Sequence, residues 1–284
     1  FYADLPKGYQ ITQDKTPICT GGVITLFPNT DKEKKIEITR IHMEEDAGKS
    51  IHDLHDDYSF IDLNRAGVPL LEVVTEPMIS SGEEAAAYLT ELRKLVRYLG
   101  ICDGNMEEGS MRCDANISVR KKGDTKLGNR CEVKNLNSIK NVQKAIEHEI
   151  ARQIKLVENG EVISQNTLNF DAVTGQTTPL RSKEMANDYR YFPEPDLLPI
   201  QISDSYLEEI KASLPALPQQ LFLKFTKEFL LPNYDADFLT SDKAMSDYYL
   251  AIIEHTNDYK LASNWIMGPI KSYLNELHHF MLIK

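Results

Sequence analysis

The sequence predicts an α+β domain followed by an all-α domain, on three observations. Alternating or continuous apolar stretches over residues 23–75, and again from Met111, are typical of β-strands. Two capped amphipathic stretches predict long helices. From about Leu207 the strand pattern stops, and helix-like stretches separated by Pro and Asp/Ser breaks follow. We therefore expect a first domain over residues 1–213 and a helical domain over residues 214–284.

Composition and charge exclude several classes of protein. The 284 residues are 42% hydrophobic, which is enough for a core, and the net charge of −11 argues against a bulk polyanion binder. The four cysteines form no C-x-x-C pair, which fits a reducing cytosol and argues against a zinc ribbon. We expect no membrane span and no signal peptide. Because the chain opens on Phe1 in structured-looking sequence, we expect residues to precede it.

Two predicted strands each carry a carboxylate where the pattern favours an apolar residue. Side chains alternate between the faces of a strand, so Glu45 continues the apolar face of Ile41 and Met43. Glu72 continues the apolar face of PLLEVVT in the same way. Such acids are costly unless they are paired, and a divalent cation with oxygen ligands is one partner. Structural ion pairs, or strands that end at the acids, are the alternatives.

The two long helices have clear start and stop signals. Ser81 and Glu84 form a capping-box pattern at the first helix, and Gly100 is positioned to end it. Ser138 is positioned to cap the second helix, which ends near Gly160. Their apolar stripes predict that both helices pack on a core. We also expect Trp265 in the core of the helical part.

Strict alternation from Met111 predicts a strand, and the loop at 121–128 predicts a hairpin that returns the chain. One face of this hairpin is apolar and the other combines charged and amide side chains. Arg, Lys and Asn donate to phosphates, and Asp and Glu bind cations, so a nucleotide–metal site is one interpretation. The solvent face of an ordinary antiparallel sheet is the other. The polar face comprises Arg112, Asp114, Asn116, Ser118, Arg120, Arg130, Glu132 and Lys134.

Several segments together resemble one known family, the B subunits of the aspartyl/glutamyl-tRNA amidotransferases (GatB). The similarity follows the same order along essentially the whole chain. The family's opening Glu-x-His strand and its C-terminal tRNA-binding tail have no counterpart in this sequence. The segments are HMEEDAGKS, DLNRAGVPLLEVVTEP, VRYLG, DGNMEEGSMRCDANISVR, EVKNLNS, DYRYFPEPD and SNWIMG.

The resemblance implies a fold and a reaction. The fold is a cradle domain with an antiparallel sheet, similar to glutamine synthetase and guanidino kinases, followed by a helical domain. The reaction is an ATP-dependent ligation in the cytoplasm. The side-chain carboxylate of Glu-tRNA(Gln) or Asp-tRNA(Asn) is phosphorylated, and ammonia taken from glutamine then displaces the phosphate. The implied cofactors are ATP and Mg²⁺ or Mn²⁺, and the implied partners are the amidase GatA, the small clamp protein GatC and the misacylated tRNA.

The resemblance also implies roles for individual residues. The metal ligands of the family are its opening Glu-x-His pair, which has no counterpart here, and two acids that fall on Glu45 and Glu72. A further catalytic acid falls on Glu132. The family's ammonia path enters near Lys7, Glu44 and Glu45. From the polar hairpin face we assign phosphate contacts to Arg112, Asn116, Lys134 and Asn135.

Two other functions remain open at this point. A small-molecule ligase or guanidino-type kinase on the same fold would not need the helical region after Leu214. A non-catalytic RNA-binding or assembly protein would be indifferent to Mg²⁺ and to substitution of Glu45 or Glu72. Arg190, which lies between two tyrosines, is either a functional cation or a stacked side chain.

Overall fold

The computed structural model describes residues 3–13, 16–28, 30–52, 54–182, 194 and 196–282. Its α+β composition agrees with the sequence prediction. Two compact units divide the chain: Phe1–Leu89 with Arg112–Gln201, and Thr90–Met111 with Ile202–Lys284. This division differs from the predicted one, because residues 90–111 and 202–213 belong to the second unit.

Strands dominate the first unit, and helices make up most of the second. The strands are β1 (Cys19–Thr20), β2 (Val23–Leu26), β3 (Lys34–Glu45), β4 (Lys49–Ile51), β5 (Phe60–Asp62), β6 (Pro69–Thr75), β7 (Ala115–Ile117), β8 (Cys131–Lys134), β9 (Asn166–Asp171) and β10 (Gln176–Ser182). The helices are α1 (Gly82–Tyr98), α2 (Ile139–Glu158), α3 (Asp204–Ser213), α4 (Pro218–Lys227), α5 (Asn233–Leu239), α6 (Lys243–Ile253), α7 (Tyr259–Trp265) and α8 (Lys271–Leu282).

The long strand β3 organises the first sheet. It pairs antiparallel with β2 along its first half and with β1 and β6 along its second half. Beyond the end of β3, the amide of Asp46 donates to the carbonyl of Val68 (2.8 Å), and the amide of Gly67 donates to the carbonyl of Asp46 (2.9 Å). The pairing with the β6 side therefore continues past Glu45. A separate antiparallel hairpin, β4–β5, lies in the connection between β3 and β6.

The second sheet has the order β10-β9-β8-β7. Its outer pairs are antiparallel, as predicted, whereas β8 and β9 run parallel. Parallel neighbours need a crossover, and the 20-residue helix α2 lies between these two strands in the chain. One face of the sheet is buried, through side chains that include Cys131, Val133 and Phe170.

The predicted helix caps are confirmed. Ser81 Oγ accepts a hydrogen bond from the amide of Glu84 at 3.1 Å, and Ser138 Oγ accepts one from the amide of Asn141 at 3.1 Å. Gly100 takes the left-handed conformation (φ +67°) just past the end of α1. The carboxylate of Glu84 instead binds Ser80 and Lys34, so the capping box is only half formed.

The second unit is helical in its described part, as predicted for the C-terminal region. A π-helical turn, Ile266–Ile270, joins α7 to α8 and contains Pro269. Trp265 is 56% exposed, so its predicted place in the core is wrong; Ile266 fills that place instead and is fully buried. The core residues are Tyr98, Leu221, Phe222, Phe225, Leu231, Ala236, Leu239, Tyr249, Ala262 and Ile266.

No helix in the described ranges has the length and apolar character needed to cross a bilayer. Arg190 and most of DYRYFPEPD lie outside the described residues.

Candidate functional site

The pairing of β3 with β6 brings three potential metal ligands together. His42 lies opposite Glu72 in the ladder, and Glu44 lies two residues further along the same face of β3. Nε2 of His42 is 3.2 Å from Oε1 of Glu44 and 3.5 Å from Oε2 of Glu72. One ligand atom from each of the three lies within 4.8 Å of the others. We call His42, Glu44 and Glu72 the acidic cluster.

Burial makes the acidic cluster electrostatically costly. His42 is 1% exposed, and the side chain of Glu44 is 11% exposed. Loss of hydration and then the charge of Glu44 raise the pKa of Glu72, against smaller opposing effects of His42 and Arg40. A bound cation would relieve this repulsion. The two carboxylates are oxygen ligands that suit Mg²⁺ and Mn²⁺, while the imidazole nitrogen suits a transition metal such as Mn²⁺ better than Mg²⁺, so the residues fit the implied metal.

Glu45 does not join Glu72. It pairs with Pro69 in the ladder, which places it on the opposite face of the sheet from Glu72. Its carboxylate accepts a hydrogen bond from the amide of Ile11 at 3.0 Å and forms an ion pair with Lys7. Glu45 and Glu72 therefore lie on opposite faces and do not meet at one site. The strand register places Glu44, not Glu45, on the same face as Glu72. The expected neighbourhood of Lys7 and Glu45 is present, while its role in an ammonia path stays a prediction.

The predicted polar face of the hairpin is present on the second sheet. Asn116 lies opposite Glu132, and Glu132 lies opposite Thr167. Thr167 Oγ1 donates to Glu132 at 3.1 Å, and Lys134 Nζ lies 3.5 Å from the other oxygen of Glu132. The opposite side chains, Cys131 and Val133, are fully buried. These contacts fix Glu132 and Lys134 as neighbours.

Lys134 has a stronger partner in Asp114. Its ammonium group lies 2.5 Å from Oδ2 of Asp114. Burial alone would lower the pKa of Lys134, but the hydrogen bond and the charge of Asp114 outweigh it, and the pKa is raised. Lys134 therefore stays a cation at neutral pH. Arg112, at the start of the polar face, contacts Asp46, and the backbone of Asp46 continues the ladder that carries the acidic cluster, so the polar face begins close to that cluster.

The remaining predicted phosphate contacts occupy different environments. Nη2 of Arg112 lies 2.8 Å from Oδ1 of Asp46. Asn116 is exposed. Asn135 has a left-handed backbone (φ +64°), and its Nδ2 donates to the carbonyl of Phe170 at 3.3 Å. The side chain of Asn135 thus links the end of β8 to β9, and its contact with phosphate stays a prediction.

Comparison with known proteins shows the family. The model of the GatB/GatE catalytic domain matches residues 1–208. The chain belongs to this family. It is 53% identical to the B subunit of an aspartyl/glutamyl-tRNA(Asn/Gln) amidotransferase from Thermodesulfovibrio yellowstonii over 276 residues, which are 97% of the chain and 58% of the relative. Proteins with the same name from Nitrosospira multiformis and Rickettsia felis are also 53% identical, with 97% of the chain and 56% and 57% of the relatives covered.

The chain thus spans between half and two thirds of the length of the GatB relatives it matches. Within the GatB/GatE domain, the sequence prediction did not include His42 as a candidate metal ligand, or Asp46 and Asp114 as the ion-pair partners of Arg112 and Lys134. The sequence does contain a pattern that points to His42, because His42, Glu44 and Asp46 alternate in HMEED and so share one face of a strand. What could not be obtained from one strand alone was which of its faces meets Glu72.

Proposed function

We propose that this chain is the catalytic part of a GatB protein that acts in a glutamine-dependent aspartyl/glutamyl-tRNA amidotransferase. The reaction is ATP-dependent phosphorylation of the side-chain carboxylate of Glu-tRNA(Gln) or Asp-tRNA(Asn), followed by amidation. The observation that carries the proposal is the contact between Arg112 and Asp46 (2.8 Å), which joins the segment of the Asp114–Lys134–Glu132 group to the end of the ladder that carries the acidic cluster. Such a combination of metal ligands and fixed cations is what phosphoryl transfer requires.

His42, Glu44 and Glu72 are the residues that would hold Mg²⁺ or Mn²⁺, which would neutralise charge on phosphate oxygens when bound. Within the chain itself, Lys134 takes up charge on the transferred group. Glu132 and Asp114 hold its ammonium group in place from two sides. Asn116, exposed beside Glu132, supplies a neutral donor. The protein thus acts by positioning and electrostatic stabilisation rather than through a nucleophile of its own.

Ammonia then forms a bond to the activated carbonyl carbon, and the bond from that carbon to the phosphate oxygen breaks. Phosphate leaves with the bonding electrons, and the nitrogen loses a proton to give the amide. We place Glu45 and Lys7 on the ammonia side of this step. Their ion pair lies on the face of β3 opposite the acidic cluster, where the amide of Ile11 and the ammonium group of Lys7 each hold one oxygen of the Glu45 carboxylate.

The partners follow from the same proposal. The amidase GatA supplies ammonia from glutamine, the small clamp protein GatC holds GatA and GatB together in a heterotrimer, and the misacylated tRNA is the substrate. The proposal also assigns to the first unit the cradle fold of glutamine synthetase and guanidino kinases. The four free cysteines in the described part agree with work in the cytoplasm.

The test uses the full-length protein reconstituted with its amidase and clamp partners. We would measure ADP release from ATP and Mg²⁺ with and without Glu-tRNA(Gln). We expect ADP formation that requires the charged tRNA and disappears in Glu72→Ala. Glu76→Ala is the matched control, because Glu76 follows the same strand and binds Thr39 at 2.7 Å, away from the acidic cluster.

Two results would contradict the proposal. ADP release that is unchanged by tRNA and stimulated by free glutamate would favour a small-molecule ligase. An assembled and folded complex that releases no ADP under any condition would favour a non-catalytic protein.

A further inference from the structure

A single carboxylate, that of Asp46, holds two arginine side chains. Its Oδ1 lies 2.8 Å from Nη2 of Arg112, and its Oδ2 lies 2.9 Å from Nη2 of Arg65. The Asp46 side chain is only 7% exposed, whereas those of Arg65 and Arg112 are 46% and 57% exposed. Both guanidinium groups are therefore anchored from the protein side while a large part of each remains accessible.

The backbone fixes where this anchor lies. The amide and the carbonyl of Asp46 both hydrogen-bond to the segment before β6, at Val68 and Gly67. Asp46 thus continues the β3 ladder. Since side chains two residues apart share a face, Asp46 follows Glu44 and His42 on the side of the acidic cluster. The pair of arginines is held next to the residues that would bind the cation.

The charges of this group suit a polyanion. Two guanidinium groups against one carboxylate leave a net charge of +1, and the carboxylate offsets the repulsion that would drive the arginines apart. Each guanidinium has five N–H donors in a planar fork that matches phosphate oxygens. A nucleotide polyphosphate is favoured over a nucleic-acid backbone, because cation and arginines on one face are the combination that metal-bound polyphosphates require.

We propose that Asp46 is a positioning residue that presents Arg65 and Arg112 as a paired clamp for the polyphosphate of the nucleotide. The inference rests on the proposed function and deepens it. It assigns Arg65 as a second phosphate-binding arginine and gives Asp46 a role that acts only through the two arginines.

The experiment measures binding of a fluorescent ATP analogue with Mg²⁺ to the full-length protein in its complex, by anisotropy. Inorganic tripolyphosphate serves as a competitor that probes the phosphate contacts alone. Arg65→Ala, Arg112→Ala and Asp46→Asn should each weaken both affinities about 10-fold or more, as expected for a lost charge-assisted contact. Arg120→Ala is the arginine control, because Arg120 donates to the nearby carbonyl of Thr125 at 3.0 Å.

A second measurement separates positioning from a structural effect. In the Arg65→Ala/Arg112→Ala background, adding Asp46→Asn should cause no further loss of affinity. A merely structural Asp46 would weaken binding equally in both backgrounds. Asp235→Asn is the matched control for loss of a buried ion-paired aspartate, since Asp235 is 4% exposed and lies 2.5 Å from Lys260 in the other unit.

The outcomes distinguish failure of the arginine clamp from failure of the proposed ATP-dependent function. If the wild-type complex binds the ATP analogue and the two arginine variants bind it equally well, the clamp is wrong and the proposed function stands. If the wild-type complex binds no nucleotide, both are wrong. If Asp46→Asn fails to fold, the Arg65→Ala and Arg112→Ala variants still test the clamp, because both arginine side chains are about half exposed.

Discussion

His42 and Glu72 face each other across β3 and β6, with Nε2 of the histidine 3.5 Å from a carboxylate oxygen of the glutamate. The histidine is almost fully buried, and the glutamate side chain is half exposed. His42 and Glu44 are thus the buried members of the acidic cluster, and Glu72 is its accessible member.

His42→Ala in the full-length protein should weaken Mn²⁺ binding at least ~10-fold, because it removes the one nitrogen donor of the acidic cluster. Electron paramagnetic resonance of free Mn²⁺ measures this directly. His52→Ala is the control, since His52 is exposed on the β4–β5 hairpin and bonds to Ser59. Equal affinities of wild type and His42→Ala would remove His42 from the site.

Mn²⁺ binding should depend on pH in a way that Glu72 controls. Burial, with the charge of Glu44, raises the pKa of Glu72, so its proton is retained to a higher pH than in an ordinary glutamate of pKa about 4.3. The proton must leave before the carboxylate binds a cation. Affinity, measured by the same resonance method across a pH series, should therefore fall as pH is lowered, with a midpoint above the ordinary range.

The same shift has a consequence for stability without metal. A carboxyl group whose pKa is raised on folding stabilises the protein below the unfolded-state pKa, and this contribution is lost as pH rises through the folded-state pKa. Glu72→Gln should flatten that part of the melting-temperature profile, which lies above the ordinary range of glutamate titration. Superimposable profiles for wild type and Glu72→Gln would show that Glu72 titrates normally.

The caps of α1 and α2, the polar and apolar faces of β8 and the helical character of the C-terminal region could all be predicted from the sequence. Each depends on residues close together in the chain. The register of β3 against β6 could not, because a slip of one residue exchanges the two faces of a strand. That single unknown decides whether Glu44 or Glu45 meets Glu72.

Helix α2 shows a second limit of sequence reasoning. The apolar stripe of this helix, which includes Ile146 and Ile154, was expected to be its buried face. Ile154 is nevertheless 42% exposed, whereas Glu149 and Gln153 are fully buried. A buried polar pair is favourable only when tertiary partners satisfy it, and those partners come from other parts of the chain. Trp265 is the reverse case, because its size predicted burial and its neighbour Ile266 fills the core.

Glu149→Ala should destabilise the first unit by about 3 kcal/mol, because it breaks a buried hydrogen-bonded ion pair. The carboxylate accepts from Arg152 at 2.6 Å, from Gln153 at 2.8 Å and from Thr177 at 3.1 Å. Urea denaturation followed by circular dichroism measures the loss. Glu147→Ala, on the same helix but outside this network, should have little effect.

The Glu149 network also predicts acid sensitivity. Burial acts to raise the pKa of Glu149, but the hydrogen bonds from Arg152 and Gln153 outweigh it and lower the pKa. Its contribution to stability is thus present above the unfolded-state pKa and is lost as pH falls through the folded-state value. If the stability difference between wild type and Glu149→Ala did not shrink in acid, this account of the network would be wrong.

Tyr98→Phe should destabilise the second unit by roughly 1–3 kcal/mol, since it leaves buried polar groups unpaired. The hydroxyl of Tyr98 lies 2.9 Å from the carbonyl of Thr240 and 2.6 Å from Oγ of Ser246, and the residue is 2% exposed. Thermal melting tests this, with Tyr248→Phe as the exposed counterpart. Equal melting temperatures for wild type and Tyr98→Phe would contradict the packing described for this helix end.

The most direct test of the central claim is the position of a bound metal ion. Crystals of the full-length protein would be grown with Mn²⁺, and anomalous diffraction would locate the ion. We predict a peak within coordination distance of His42 Nε2 and the carboxylates of Glu44 and Glu72. A peak at Glu45, on the other face of the sheet, or no peak within reach of His42, would contradict the account.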